Sequence, residues 1–244
     1  MKLNKFLFLS FTLPFVLCSC TGHYKIEGTS SVNTLDGRRL YLQSFSDGKW
    51  VKLDSAEIVH GKFSMSGTID STRMVTLYMG DVSVMPFVLE DGRIKIELSD
   101  TEFKASGSKL NNAFYEFIDH KNDMDIYLSE LDRKEARLVL DGVDLTEAQK
   151  MVKQEQDSLV AEMNKSIKTF IADNYENVLG PTVFMMLCSN FPYPVMTPEI
   201  DAIVKDAPYS FKNNKLIKEY LSKAKDNMQM LQEHRMLEQS NVAH

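Results

Sequence analysis

From residue 23 to about 106, apolar and polar positions alternate in short runs, and most runs close on a turn that contains glycine. Alternation is the period of a strand with one buried face. It predicts strands over Tyr24–Gly28, Arg39–Gln43, Trp50–Leu53, Lys62–Gly67, Met74–Met79, Val82–Leu89 and Ile94–Leu98. The turns are Asp36-Gly37, Asp47-Gly48, His60-Gly61, Gly80-Asp81 and Asp91-Gly92. Asp-Gly suits hairpins because their turns need positive φ. Short strands at this spacing predict an antiparallel sandwich or an open barrel.

After Gly107 the period changes to three and four. Leu110, Phe114, Phe117/Ile118, Lys121, Met124, Leu128 and Leu131 step by three and four along one helical stripe, with Ser108 as its expected N-cap. Thr146-Glu147-Ala148-Gln149 reads as a capping box opening a second long helix. Its face is Ala148, Val152, Leu159, Met163, Ile167 and Phe170. Gly180-Pro181 and Thr197-Pro198 each start a short helix with proline in the first turn. Phe191–Pro194 is a loop, and a last helix runs from about Asn213 to Leu237, with Glu238–His244 expected to fray. Strands first and helices after define an α+β chain. The expected architecture is an N-terminal antiparallel β-sandwich or open barrel over 20–107, followed by a C-terminal helical domain over 108–244.

The first nineteen residues read differently. Lys2 and Lys5 precede Phe6–Leu17, about a dozen nearly all apolar residues interrupted by Pro14. A membrane-spanning helix needs roughly 20, so this is a signal peptide. Leu17-Cys18-Ser19-Cys20 resembles the lipobox of bacterial lipoproteins, with Cys18 at its tolerant position. The resemblance implies cleavage before Cys20 and lipid, palmitate among it, on that cysteine. Two or more acyl chains anchor stably, at roughly 0.8 kcal/mol per buried methylene. The expected location is the cell envelope, with the outer membrane favoured over the inner.

The mature chain of about 225 residues is large enough to bury a core. Without Lys2 and Lys5 it holds 26 basic against 34 acidic residues, a net charge of −8. No basic stripe appears, so nucleic acid is excluded as a partner. Cysteine content narrows the chemistry further. Cys18 leaves with the signal peptide and Cys20 carries lipid, so Cys188 stands alone in the apolar run Val183–Cys188 and has no internal partner. It reads as a buried, inert thiol.

Several residues together resemble a known family. Tyr24-Lys25-Ile26-Glu27-Gly28, Leu40-Tyr41-Leu42, Val51–Ala56 and Gly61-Lys62-Phe63-Ser64-Met65-Ser66-Gly67 carry the likeness. They resemble the uncharacterised domain that precedes thioredoxin-like (AhpC/TlpA-type) domains in Bacteroidota cell-envelope lipoproteins. Phe170–Tyr175 is similar to the linker of the same proteins. Such relatives continue into a redox domain with a Cys-x-x-Cys pair. This sequence holds no such pair, and thiol–disulfide exchange needs an attacking and a resolving thiol. Activity of that kind is not expected.

No other constellation stands out. His23, His60, His120, His234 and His244 lack zinc spacing. Asp119–Asp125 is rich in carboxylates but lacks the glycine and late glutamate of a calcium loop. No metal and no cofactor is expected. Asp54-Ser55-Ala56, Asp70-Ser71-Thr72 and Asp157-Ser158-Leu159 resemble the O-glycosylation acceptors of exported Bacteroidota proteins, which makes Ser55, Ser71 and Ser158 candidates. The expected function is a non-catalytic, lipid-anchored envelope module that binds a protein partner, thioredoxin-like or a second copy, or a ligand. Two alternatives stand beside it: an enzyme with a site at the β/helical junction, and a structural subunit of an envelope complex.

Overall fold

The computed structural model describes residues 21–46 and 48–242, with side chains described as far as His234. Among these described residues, eight strands form two four-stranded sheets, followed by six α-helices. The strands are β1 Gly22–Ser30, β2 Arg39–Ser46, β3 Lys49–Glu57, β4 Lys62–Ile69, β5 Arg73–Met79, β6 Val82–Leu89, β7 Gly92–Leu98 and β8 Phe103–Ser106. One sheet has the order β4-β1-β7-β8 and the other β3-β2-β5-β6. The helices are α1 Lys109–Leu140, α2 Leu145–Asp173, α3 Leu179–Cys188, α4 Pro198–Asp206, α5 Tyr209–Lys212 and α6 Lys215–Val242. The expected α+β sandwich is present, and all strand pairs but one are antiparallel. The exception is β1 beside β7, in parallel register from Tyr24↔Gly92 to Ser30↔Leu98.

The glycine and aromatic positions of β1 and β4 act together. In their antiparallel register Gly28 lies opposite Phe63, Ile26 opposite Met65, and Tyr24 opposite Gly67. The Phe63 ring fills the space over Gly28 so closely that a Cβ there would sit 2.0 Å from its Cζ. A Cβ on Gly67 would come within 2.8 Å of the Tyr24 hydroxyl. That hydroxyl donates to Asp54 Oδ2 on the other sheet, at 3.2 Å. Gly28, Asp54 and the 61–67 stretch thus form one packing device between the sheets.

The free edge of β6 is closed by a helix. Pro86 cannot donate to a ladder, which fits an edge strand. Outward from this edge point the Pro86 carbonyl and both backbone groups of Val88. Tyr115 Oη donates to the Pro86 carbonyl at 2.7 Å. Asn111 Oδ1 accepts from Val88 N–H at 2.8 Å, and Asn111 Nδ2 donates to the Val88 carbonyl at 2.8 Å. Asn111 and Tyr115 are four apart on α1, a rise of about 6 Å, while Pro86 and Val88 are two apart on a strand, about 6.8 Å. The two repeats match, so α1 lies along the edge and extends the sheet with side chains. Glu90 Oε1 accepts from the N–H groups of Leu110 and Asn111 at 3.1 and 3.3 Å, filling the start of the helix. Ser108 holds the N-cap backbone position without bonding the helix N–H groups; its Oγ accepts from Asn111 Nδ2 instead.

Other helix ends follow local chemistry. Asp144, just ahead of the expected box, caps α2 by accepting from Thr146 and Glu147 N–H. The short carboxylate reaches both first-turn donors, which leaves Thr146 inside the helix. α4 starts at Pro198 as expected, and Thr197 caps it by accepting from Ile200 N–H. α6 is buried at Ile217, Tyr220 and Ala224 and continues as helix past Leu237 to Val242. Met228 there is half-buried and Met230 exposed, while the Met236 side chain lies outside the described residues. One continuous apolar cluster runs from Ile26 and Leu77 in the sandwich through Phe114 and Ile171 to Phe184 and Ile217. The sandwich and the helices therefore share a core.

Replacing Asn111 by Leu removes both partners of buried Val88. Each unsatisfied group costs roughly 1–3 kcal/mol, so urea unfolding of Asn111→Leu is expected to show a loss of about 2–4 kcal/mol. A loss under about 0.5 kcal/mol, the range of ordinary surface changes, would contradict the role assigned to this edge.

Candidate functional site

Strand register gives the molecule two ends. Gly22 begins β1 opposite Ile69, the last residue of β4. Thr72 and Arg73, the β6–β7 turn at Asp91, and the tip of the β2–β3 hairpin lie toward that same end. This follows because β5 starts where β6 stops (Arg73↔Leu89) and β2 runs antiparallel to β5. His23 N–H donates to Asp91 Oδ1 at 2.7 Å, which ties the entering chain to this end. α1 also starts here, at Glu90, and runs toward the opposite end, passing Pro86 at Tyr115 and pairing Asp119 with Lys104 of β8.

Beyond Asp119, α1 leaves the sandwich. From there to Leu140 is about 30 Å of helix at 1.5 Å per residue, and among the described residues α2 is the element that accompanies it. Their contact is a small separate cluster of Met124, Leu131, Val152 and Leu159. The turn between them is built for the reversal: Gly142 has φ +93°, and Val143 N–H bonds back to the Leu138 carbonyl at 3.0 Å. At the tip two leucines are open, Leu140 85% and Leu145 52% exposed, beside the exposed Asp141 and Asp144. Within the arm, Glu155 accepts from both Tyr127 Oη and Lys134 Nζ across the helix pair.

A groove of about 860 Å³ lies between the second sheet and the helices. Phe45, Trp50, Met74, Tyr175, Phe211 and Leu216 give it apolar walls. Two carboxylates border it. Glu176 accepts from Ser210 Oγ at 2.8 Å. Glu219 is bound to Lys223 at 2.7 Å, and that hydrogen bond holds its carboxyl below the ordinary value. A general acid working near neutral pH needs the opposite shift.

The residues singled out in the sequence do not meet in one place. Cys20 lies outside the described residues; Thr21 and Gly22 follow it directly. Ser55 is half-buried on β3, Ser71 is exposed in the β4–β5 turn, and Ser158 is exposed in the middle of α2. Cys188 is buried, 4% exposed, and burial pushes its thiol up to about 11, so little thiolate forms near neutral pH. Tyr24, beside Asp54, is raised to about 12, first by burial and then by that carboxylate. Asp119 pairs with Lys104, and Asp125 with Lys121 at 2.5 Å, so two of the three carboxylates of the run on α1 are engaged in ion pairs. Among the described residues no three His, Cys, Asp or Glu side chains converge as a metal site, and no helix is long and apolar enough to cross a membrane.

An α+β sandwich with a helical arm defines the class of protein. Residues 24–114 match the family model described as a domain of unknown function, DUF4369. The likeness read from the β1–β4 residues is thereby borne out for this segment; the association with thioredoxin-like domains is no part of the match. The matched segment runs past Gly107 and takes in Asn111 and Phe114 of α1, the residues that close β6 and enter the shared core. No curated protein and no solved structure matches the chain.

The hydrogen bonds to Glu155 from Lys134 and then Tyr127 lower its carboxyl below the ordinary 4.5. A lowered folded value means that its stabilisation of the arm is present at neutral pH and is lost as pH falls through that value. A carboxyl NMR titration is expected to give Glu155 a midpoint below 4.5, moving upward in Lys134→Met. A midpoint unchanged by that substitution would show that the clasp does not hold in solution.

Proposed function

We propose that this protein is a lipid-anchored, non-catalytic module of the cell envelope that holds a helical arm out toward a protein partner. Lipid on Cys20 fixes one end to the membrane, the outer membrane by preference, and the tip of the α1–α2 hairpin reaches away from it. The observation that carries the reading is the pair of exposed leucines, Leu140 and Leu145, at the far end of a two-helix arm with its own small cluster. An isolated helix pair gains little from propensity, and most helical stability comes from packing. Exposed leucines at such a tip suit burial against another protein. The partner is a thioredoxin-like protein of the same compartment or a second copy of the chain.

The absence of thiol chemistry of its own is supported by the state of Cys188, which is buried and raised. A thioredoxin-like partner would supply the chemistry that this chain lacks. The alternative of an enzyme at the junction has a groove of suitable size, but Glu219, lowered by Lys223, does not favour it. The alternative of a structural subunit differs from the main reading only in whether the partner is permanent.

Crosslinking in native membranes followed by purification tests this reading. The parent chain is expected to bring one stoichiometric partner, or itself, and the double variant Leu140→Glu/Leu145→Glu to lose it. Both sites are exposed, so unfolding stability should stay within about 0.5 kcal/mol. Equal recovery by parent and variant would overturn the proposal.

A further inference from the structure

The short connection between Cys20 and the first strand has a physical consequence that rests on the lipid-anchor reading. Only Thr21 separates Cys20 from Gly22, where β1 begins. At about 3.3 Å per residue, lipid on Cys20 holds the start of β1 close to the headgroups. The end of the sandwich that contains Gly22 then has no room to stand clear of the bilayer.

That end carries an unusual ribbon. β2 pairs with β5 only through Gln43↔Thr76, while the β2–β3 hairpin continues through Ser44↔Val51, Phe45↔Trp50 and Ser46↔Lys49. An irregularity at Leu42/Gln43 leaves Leu53 as an extra residue in β3, and such a bulge bends its strand. The freed ribbon exposes three large apolar side chains beside Ser46 and Lys49. Phe45 and Trp50, which also wall the groove, are each 51% exposed on one face, and Val51 is 44% exposed on the other. The Phe45 and Trp50 rings meet edge to face at 5.3 Å, and Trp50 meets Tyr78 at 5.4 Å. Tryptophan with a basic neighbour, here Lys49, is the composition favoured at a membrane–water boundary. Charge alone does not drive the contact, because Asp70 and Asp91 lie at the same end as Arg73 and Lys49.

We propose that the β2–β3 hairpin is a membrane-seating element, with Phe45 and Trp50 lying in the headgroup layer beside the lipidated Cys20. The occupant of this surface is the bilayer to which the chain is tethered. Seating at three points (the lipid, Phe45 and Trp50) restricts tilt and aims the arm outward. The same placement brings Ser71, in the neighbouring turn, against the membrane and makes it the least suitable of the three candidate glycan acceptors.

Trp50 is the sole tryptophan in the chain, so it reports without labelling. The lipidated full-length protein is reconstituted into phosphatidylethanolamine–phosphatidylglycerol vesicles, some with brominated acyl chains, and recovered by flotation. Trp50 emission is expected to shift to the blue relative to the Cys20→Ala protein in buffer, to be quenched by bromine, and to lose access to acrylamide. Phe45→Glu is expected to float equally well while Trp50 escapes bromine. Protein that floats with Trp50 unquenched by bromine overturns the seating and leaves the anchor standing. Shielding from acrylamide does not rescue the seating in that case, because a partner or ligand then covers Trp50. Protein that does not float overturns the anchor, and the seating with it.

Discussion

The structure depends on how one strand edge is finished. β6 ends its sheet with a proline carbonyl and a valine peptide facing outward, groups that would otherwise need water or another strand. Asn111 and Tyr115 supply what a ninth strand would have supplied. Because their spacing on a helix matches the spacing of their targets on the strand, α1 is held parallel to the edge over more than one turn. Asn111 is fully buried, and no buried side-chain nitrogen or oxygen among the described residues lacks a partner. The direction of α1 follows from this contact. Its start is held at Glu90, near the entry of the chain, so its far end must emerge at the other side of the sandwich.

That polarity links fold to function. A helix of 32 residues set along a sandwich whose strands span at most nine has to overshoot it. The overshoot is the arm. α2 returns to the entry end, where Tyr175–Val178 meets the second sheet and forms one wall of the groove. The remaining helices then build on that wall and extend the apolar core. On the proposed reading, the entry end faces the membrane and the tip of the arm faces the partner. The residues that carry the family likeness belong to the packing of β1 on β4 and of Tyr24 on Asp54, which is why they suggest a fold and no chemistry.

Much of this is legible in the sequence, because alternation reports which face of a strand is buried. Seven strands and the change of period at Gly107 emerge from it. β8, four residues long, is too short to show a period. The parallel pairing of β1 with β7 joins segments about seventy residues apart, and local pattern carries no information on that choice. Pattern alone does not place the cap of α2, because Asp144 and Thr146 are both good N-caps and only the backbone decides between them. Asn111 sits within the apolar stripe beside Leu110 and Phe114, where a polar residue is the available signal of a buried partner. Trp50 reads as an ordinary strand residue and Phe45 lies beyond the strand predicted to end at Gln43; their exposure depends on where β5 stops pairing with β2. Cys20 comes from a motif and not from a period, so its role stands apart from the fold.

The most direct test is the hydrogen exchange of a single amide. If α1 closes the β6 edge as described, Val88 N–H exchanges as slowly as the amides of Ile94 and Ile96 inside the other sheet. Exchange of Val88 at the rate of an open strand edge, with those interior amides still protected, would contradict the account at its foundation.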